Sequence, residues 1–138
     1  RDRGCAIPSA LGMQLAKPNL RPIVLVGDGA FQMSAAELST IVRNKLNPIV
    51  FVLNNHGYTT ERCILDGKFN DILEWEYHKI TELLNGGIGF KVKTEQELEN
   101  AVNSAIKNTG LSVINVCVDS SDISTGLQRT VHNFSKKV

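Results

Sequence analysis

The sequence predicts an α/β fold, a doubly wound and mostly parallel sheet flanked by helices, forming one domain over residues 1–138. Three observations carry that prediction. The runs IVLV (23–26), IVFVL (49–53) and SVINVCV (112–118) are short, rich in β-branched residues and mostly apolar rather than alternating, as strands buried on both faces of a parallel sheet are. Between them lie stretches with apolar residues at helical spacing. The first two runs end in polar residues, Asp28 and Asn54-Asn55, and ligands of open parallel sheets bind beyond the carboxyl ends of the strands.

The elements follow in chain order. Pro8 followed by SALGMQLA opens a helix that stops near Lys17-Pro18. No strand feeds that helix, so the chain is expected to be part of a longer polypeptide. Ser34-Ala-Ala-Glu37 has the form of a capping box, with Leu38, Ile41 and Val42 on one face after it, which predicts a helix over 34–45. Strand 23–26, this helix and strand 49–53 make one βαβ unit, whose two strands run parallel. Gly86-Gly87-Ile88-Gly89 reads as a loop, and Lys91 and Lys93 around Val92 as strand alternation with solvated ends. Thr94-Glu-Gln-Glu97 is a second capping box, and Leu98, Ala101, Val102, Ala105 and Ile106 then share a helix face.

Composition narrows the function classes. Hydrophobic content of 42% and charged content of 21% are those of an ordinary globular protein, which excludes disordered and fibrous classes. A net charge of +1, with no basic run beyond Lys136-Lys137, points away from nucleic acid and towards a small-molecule ligand. No apolar stretch approaches the roughly 20 residues that span a bilayer. The opening RDRGC also lacks the apolar core of a signal peptide, so no membrane partner and a cytoplasmic location are expected. Cys5, Cys63 and Cys117 are odd in number and contain no CxxC pair. They predict buried or half-buried thiols rather than a disulfide framework or zinc site.

The stretch VGDGAFQ (26–32) holds an acid between two glycines, just past a predicted strand end. Alone, Gly-Asp-Gly also fits a tight turn with a side-chain hydrogen bond. If the first two strands are neighbours, roughly 5 Å apart, Asp28 and an asparagine from Asn54-Asn55 converge on one spot. A carboxylate, an amide oxygen and a nearby glycine carbonyl are hard oxygen donors, suited to Mg2+ rather than zinc. The glycines then bare backbone N–H groups for a phosphate bridged by that ion. Other phosphate motifs fit poorly: GDGAFQ lacks the third glycine of G-x-G-x-x-G, and no G-x-x-x-x-G-K-[ST] occurs.

Gly-Asp-Gly, 24 residues and Asn-Asn, within VGDGAFQMSAAELSTIVRNKLNPIVFVLNNHGYTTE, resemble the thiamine diphosphate fingerprint of the 2-oxo acid decarboxylases, the pyruvate and indolepyruvate decarboxylase family. The resemblance runs from about Ile7 to the C-terminus. It implies the diphosphate-binding domain of such an enzyme, with thiamine diphosphate and Mg2+ as cofactors. Asp28 and Asn55 would be metal ligands through side-chain oxygens, and Gly57 through its carbonyl. Gly29 and Ala30 would offer N–H groups to the diphosphate; some relatives carry a serine where Ala30 stands. Tyr58 and Thr59 would close the loop over the phosphates. Glu61 matches the family's catalytic glutamate near the thiazolium ring, an acid/base role; on its own it also fits a solvated residue in the first turn of a helix.

The resemblance also implies what must be supplied from elsewhere. Relatives take an activating glutamate and a histidine pair from a pyrimidine-binding domain, and this chain has no His-His pair. The expected function is decarboxylation of a 2-oxo acid to an aldehyde once that domain is present, in a homo-oligomer. The isolated chain is expected to be inactive. Glu61 favours a decarboxylase over an acetolactate-synthase-like carboligase. The same residues would also suit a non-catalytic Mg-diphosphate binding module or a nucleotide-binding domain. His56, His78 and His132 are expected to be loop, surface or packing residues, and Trp75 and Tyr77 to anchor the segment after the cofactor loop.

Overall fold

The computed structural model describes residues 4–129. Helix α1 (Ala6–Ala16) leads to strand β1 (Ile23–Gly27), and α2 (Asp28–Ser34) and α3 (Glu37–Arg43) to β2 (Ile49–Asn54). Then come α4 (Thr59–Arg62), two 3-10 turns (Lys68–Asn70 and Tyr77–Lys79), α5 (Ile80–Leu83), β3 (Ile88–Val92), α6 (Glu95–Lys107) and β4 (Ser112–Cys117). The strands form one parallel sheet in the order β1-β2-β4-β3. The α/β prediction and its parallel strands are therefore what the chain adopts. Among the described residues, no helix is long and apolar enough to cross a membrane.

Alternation along the strands sorts the core into two layers. On one face Val24, Val26, Val50, Val52 and Val113 pack with Ile7 of α1, Phe31 of α2, and Leu38 and Ile41 of α3. Tyr77 joins this layer, almost fully buried, its ring edge-on to Phe31 with centroids 5.5 Å apart. The predicted anchoring role suits Tyr77 well; Trp75 stays 40% exposed beside it. On the other face Ile49, Ile114 and Val92 pack under Ala101 and Ala105 of α6. Arg21 ties the layers at one end, donating to the carbonyls of Asn47, Ala105 and Ile106.

Four expectations need correction. The Ser34–Glu37 motif does not cap a helix: the helical chain already begins at Asp28, Ala35 and Ala36 stay in right-handed helical backbone, and the Ser34 hydroxyl is buried without a partner. A cap requires an extended residue just before the first turn, as Thr94 provides with φ −128° and ψ 158°, and there both halves of the box form. The Gly86–Gly89 cluster is only half loop, because Ile88 and Gly89 already belong to β3. Strand β1 is not buried on both faces: Ile23 and Leu25 are exposed while Val24 and Val26 are buried, since α6 covers β3 and β4 but does not reach the sheet edge. Finally, Cys5 is exposed, preceding α1 at the surface, whereas Cys63 and Cys117 are half-buried and all three thiols are free.

Candidate functional site

Parallel pairing of β1 with β2 sets Gly27 opposite Leu53, so the chain leaves both strands side by side. Asp28, the first residue of α2, is 1% exposed. Its Oδ1 accepts the Gly29 N–H at 2.7 Å, the local bond that a tight turn would make. Its Oδ2 accepts the Gly57 N–H at 2.9 Å, which a turn alone does not explain and which ties the end of β1 to the loop after β2. That loop turns through two consecutive left-handed residues, His56 (φ 60°) and Gly57 (φ 122°). A side chain at Gly57 would be strained by that conformation and would meet the Asn70 carbonyl oxygen at 2.4 Å.

Asn55 completes the convergence. One end of its side-chain amide lies 3.3 Å from Asp28 Oδ1 and 3.0 Å from the Gly57 carbonyl. With nitrogen there, the amide donates to both, and its oxygen accepts from Thr59 Oγ1 at 3.1 Å. With oxygen there, three oxygens face one another with no proton among them, an arrangement that a cation stabilises. Oxygens on adjacent corners of a magnesium octahedron lie about 3.0 Å apart, given Mg–O bonds of about 2.1 Å. These oxygens are of the type and spacing that suit a hard cation such as Mg2+, provided the amide presents its oxygen on that side. Burial pushes the Asp28 carboxyl above the usual carboxylate range, against the lowering effect of the Gly57 and Gly29 N–H groups. A buried carboxylate of this kind gains from a nearby cation. Among the described residues, no three His, Cys, Asp or Glu side chains group to hold a metal, so an ion here would rest on one carboxylate plus amide and carbonyl oxygens.

A cleft of about 180 Å3 opens over these groups, with Asp28, Gly29, Ala30 and Asn55 in its lining. Gly57, Tyr58, Thr59 and Glu61 line it too, so the structure brings every sequence-predicted site residue to one place. The two glycines differ in what they permit. A Cβ at Gly27 meets nothing within 4 Å, whereas one at Gly29 would strike the Tyr58 ring at 2.4 Å. Tyr58 thus lies over the start of α2, and the hydroxyl of Thr59, buried at the start of α4, has its single proton for either the Asn55 amide oxygen or the Ser120 carbonyl at 3.3 Å. Glu61 sits in the first turn of α4, between this cleft and a second of about 360 Å3 that is lined by Ile64, Leu65 and Phe69.

Neighbouring residues go elsewhere. Asn54, fully buried, donates to Glu74 Oε1 at 3.0 Å rather than joining Asn55. His56 is half exposed, with Nδ1 3.1 Å from Glu74 Oε2. Burial pushes the His78 imidazole down, and its Nδ1 lies 3.6 Å from Glu76. His132 falls outside the described residues. Sequence reasoning missed Arg62 and Asp71, an ion pair of 2.8 Å behind the loop, and Glu74. The one available signal was that Arg62 stands a helical turn after Tyr58 and hence on the same side of α4.

Comparison with known proteins adds to this geometry. The family described as "Thiamine pyrophosphate enzyme, C-terminal TPP binding domain" matches residues 3–116. A probable pyruvate decarboxylase of Schizosaccharomyces pombe is 41% identical over 124 residues, 86% of this chain and 22% of that protein. Pyruvate decarboxylase 3 of Arabidopsis thaliana is 38% identical over 130 residues, 90% of this chain and 22% of the relative. An alpha-keto-acid decarboxylase of Mycobacterium avium is 36% identical over 115 residues, covering 80% and 20% respectively. The chain spans about a fifth of the length of these relatives.

Proposed function

This chain belongs to the family of thiamine pyrophosphate enzyme C-terminal, TPP-binding domains, and on that premise we propose that it binds thiamine diphosphate through Mg2+ as part of a non-oxidative 2-oxo acid decarboxylase. The convergence of Asp28 Oδ1, the Asn55 amide and the Gly57 carbonyl, within 3.0–3.3 Å of the amide, carries the proposal. Asp28, Asn55 and Gly57 are the metal ligands. The Ala30 N–H, at the start of α2, would serve the diphosphate where the positive end of a helix favours an anion, and the Gly29 N–H, which donates to Asp28 Oδ1 in this structure, would do so only by leaving that carboxylate. Tyr58, against Gly29 of α2, and Thr59, beside the Asn55 amide, would close the loop over the phosphates.

Thiamine diphosphate supplies the electron sink that makes loss of carbon dioxide feasible, while the protein supplies position and electrostatics. Glu61, at the border between the two clefts, would move a proton at the reacting carbon once cofactor and substrate are bound. Its presence there supports a decarboxylase over a carboligase. The rest of the active site comes from a pyrimidine-binding domain, in the same chain or another, in keeping with relatives about five times as long. Activity on a 2-oxo acid requires that domain, and the assembled enzyme is a homo-oligomer.

Calorimetric titration with thiamine diphosphate, with and without Mg2+, tests the binding reading. Saturable binding that requires Mg2+ and disappears in Asn55→Ala is expected. Binding that ignores Mg2+ would overturn the ligand set. With the pyrimidine-binding domain supplied, Glu61→Gln should retain cofactor binding and lose aldehyde production by about 10²-fold or more.

A further inference from the structure

Behind the proposed metal loop lies a brace that the cofactor reading does not use. Arg62, on α4, reaches back with its guanidinium: Nη2 donates to the His56 carbonyl and to Asp71 Oδ1 at 2.8 Å, and Nη1 approaches the Asn55 carbonyl at 3.5 Å. The loop is held from the same side by the Asn70 carbonyl, which accepts the Tyr58 N–H at 3.0 Å. Asn70 is itself 2% exposed and donates to the Leu65 carbonyl, which fixes that support. Arg62 thus contacts the carbonyls of the two residues before Gly57, and its Nη2 is 2.9 Å from where a Gly57 Cβ would stand.

We propose that Arg62, held by Asp71, is a positioning residue that fixes the Asn55-His56-Gly57 loop and turns the Gly57 carbonyl towards the metal. The proposal rests on the functional reading above. His56 is a non-glycine residue in left-handed backbone, a conformation that persists only where the surroundings enforce it. The guanidinium supplies that enforcement by occupying the Asn55 and His56 carbonyls, leaving the Gly57 carbonyl beside the Asn55 amide, where it also accepts the Thr59 N–H at 3.1 Å. A planar fork serves two carbonyls and a carboxylate together, which an ammonium cannot do in one geometry. Asp71 also offsets a positive charge that would otherwise stand near a bound cation.

The test compares Arg62→Ala, Arg62→Lys and Asp71→Asn with the unsubstituted protein by two readouts. One is the Mg2+ concentration that gives half-maximal thiamine diphosphate binding; the other is hydrogen exchange at the Gly57 and Tyr58 amides without cofactor. Residues supporting metal ligands commonly tune affinity 10–100-fold, so Arg62→Ala should raise the half-maximal Mg2+ concentration by about tenfold or more. Asp71→Asn should raise it less, because Asp71 is 62% exposed. Exchange at both amides should speed in Arg62→Ala while the Val50 and Val113 amides of the sheet keep their protection, and Arg62→Lys should rescue neither readout fully. Unchanged Mg2+ dependence, unchanged loop exchange, full rescue by lysine, or loss of sheet protection would each overturn the positioning role. An unsubstituted protein with no Mg2+-dependent binding would overturn the functional reading and this role with it. Normal binding in both that protein and Arg62→Ala would overturn this role alone.

Discussion

The row Leu25, Phe51, Ile114, Phe90 crosses all four strands in register on the face that carries α6, and its two halves fare differently. Ile114 is completely buried beneath α6, while Leu25 on β1 is 68% exposed; Ile23 and Leu53 are exposed beside it. Strands β1, β2 and β4 read alike in sequence, each a mostly apolar run rather than an alternating one. An apolar run shows that a strand tolerates burial on both faces, whereas burial itself depends on which helix lies across it.

The largest expected effect tests that contrast directly. Ile114→Ala removes packed methylenes under α6 and should cost about 3 kcal/mol in urea unfolding. Leu25→Ala on the bare half should cost less than about 0.5 kcal/mol. Equal costs would mean that both halves are covered in solution.

Loosening the helix that makes the difference should sharpen it. Thr94→Ala removes the capping hydroxyl of α6 and should cost about 1 kcal/mol. Ser34→Ala, in a motif of the same form, deletes a buried hydroxyl without a partner and should be neutral or stabilising. Thermal melting of both variants decides between them.

The smallest effect is one of pH. The Lys93 N–H first, and the Thr94 N–H and hydroxyl after it, hold the Glu97 carboxyl below its ordinary value of 4.5. A lowered carboxylate contributes stability that is fully present above the unfolded value and lost as pH falls through the folded one. The stability difference between the protein and Glu97→Gln should therefore shrink as pH drops below 4.5. A difference that is constant down to pH 3, or about that value, would remove the charge from the cap.

The contrast between the two capping motifs also shows how much could be read in advance. Strands β1, β2 and β4, helix α6 and the Asp28–Asn55 convergence were legible because each depends on local pattern and on one pairing rule. Ser34 misled because its meaning is set upstream: Asp28 has already started a helix, so Leu38 and Ser39 find carbonyls at Ala35 and Ala36 and need no cap. The bare half of β1 was illegible because exposure depends on the reach of α6, which lies some 80 residues away in sequence. Arg62, Asp71 and Glu74 were missed for a related reason. Arg62 ends the short helix α4, and its partner Asp71 and Glu74 stand in a segment without periodicity, where Asn70 and Tyr77 are buried and no motif marks the path.

The strand order β1-β2-β4-β3 carries a kinetic consequence. Among the described residues, Ser112–Cys117 is the last strand in chain order yet an inner one, and β3 pairs with β4 alone. Until β4 emerges, β3 has no ladder to join and α6 has only half its floor. Assembly of that half must wait for contacts closed over long stretches of chain, which slows folding. A ribosome-bound chain arrested before Ser112 should therefore hold β1 and β2 together while β3 and α6 remain open to proteases, a state that ends only when the inner strand slots into place.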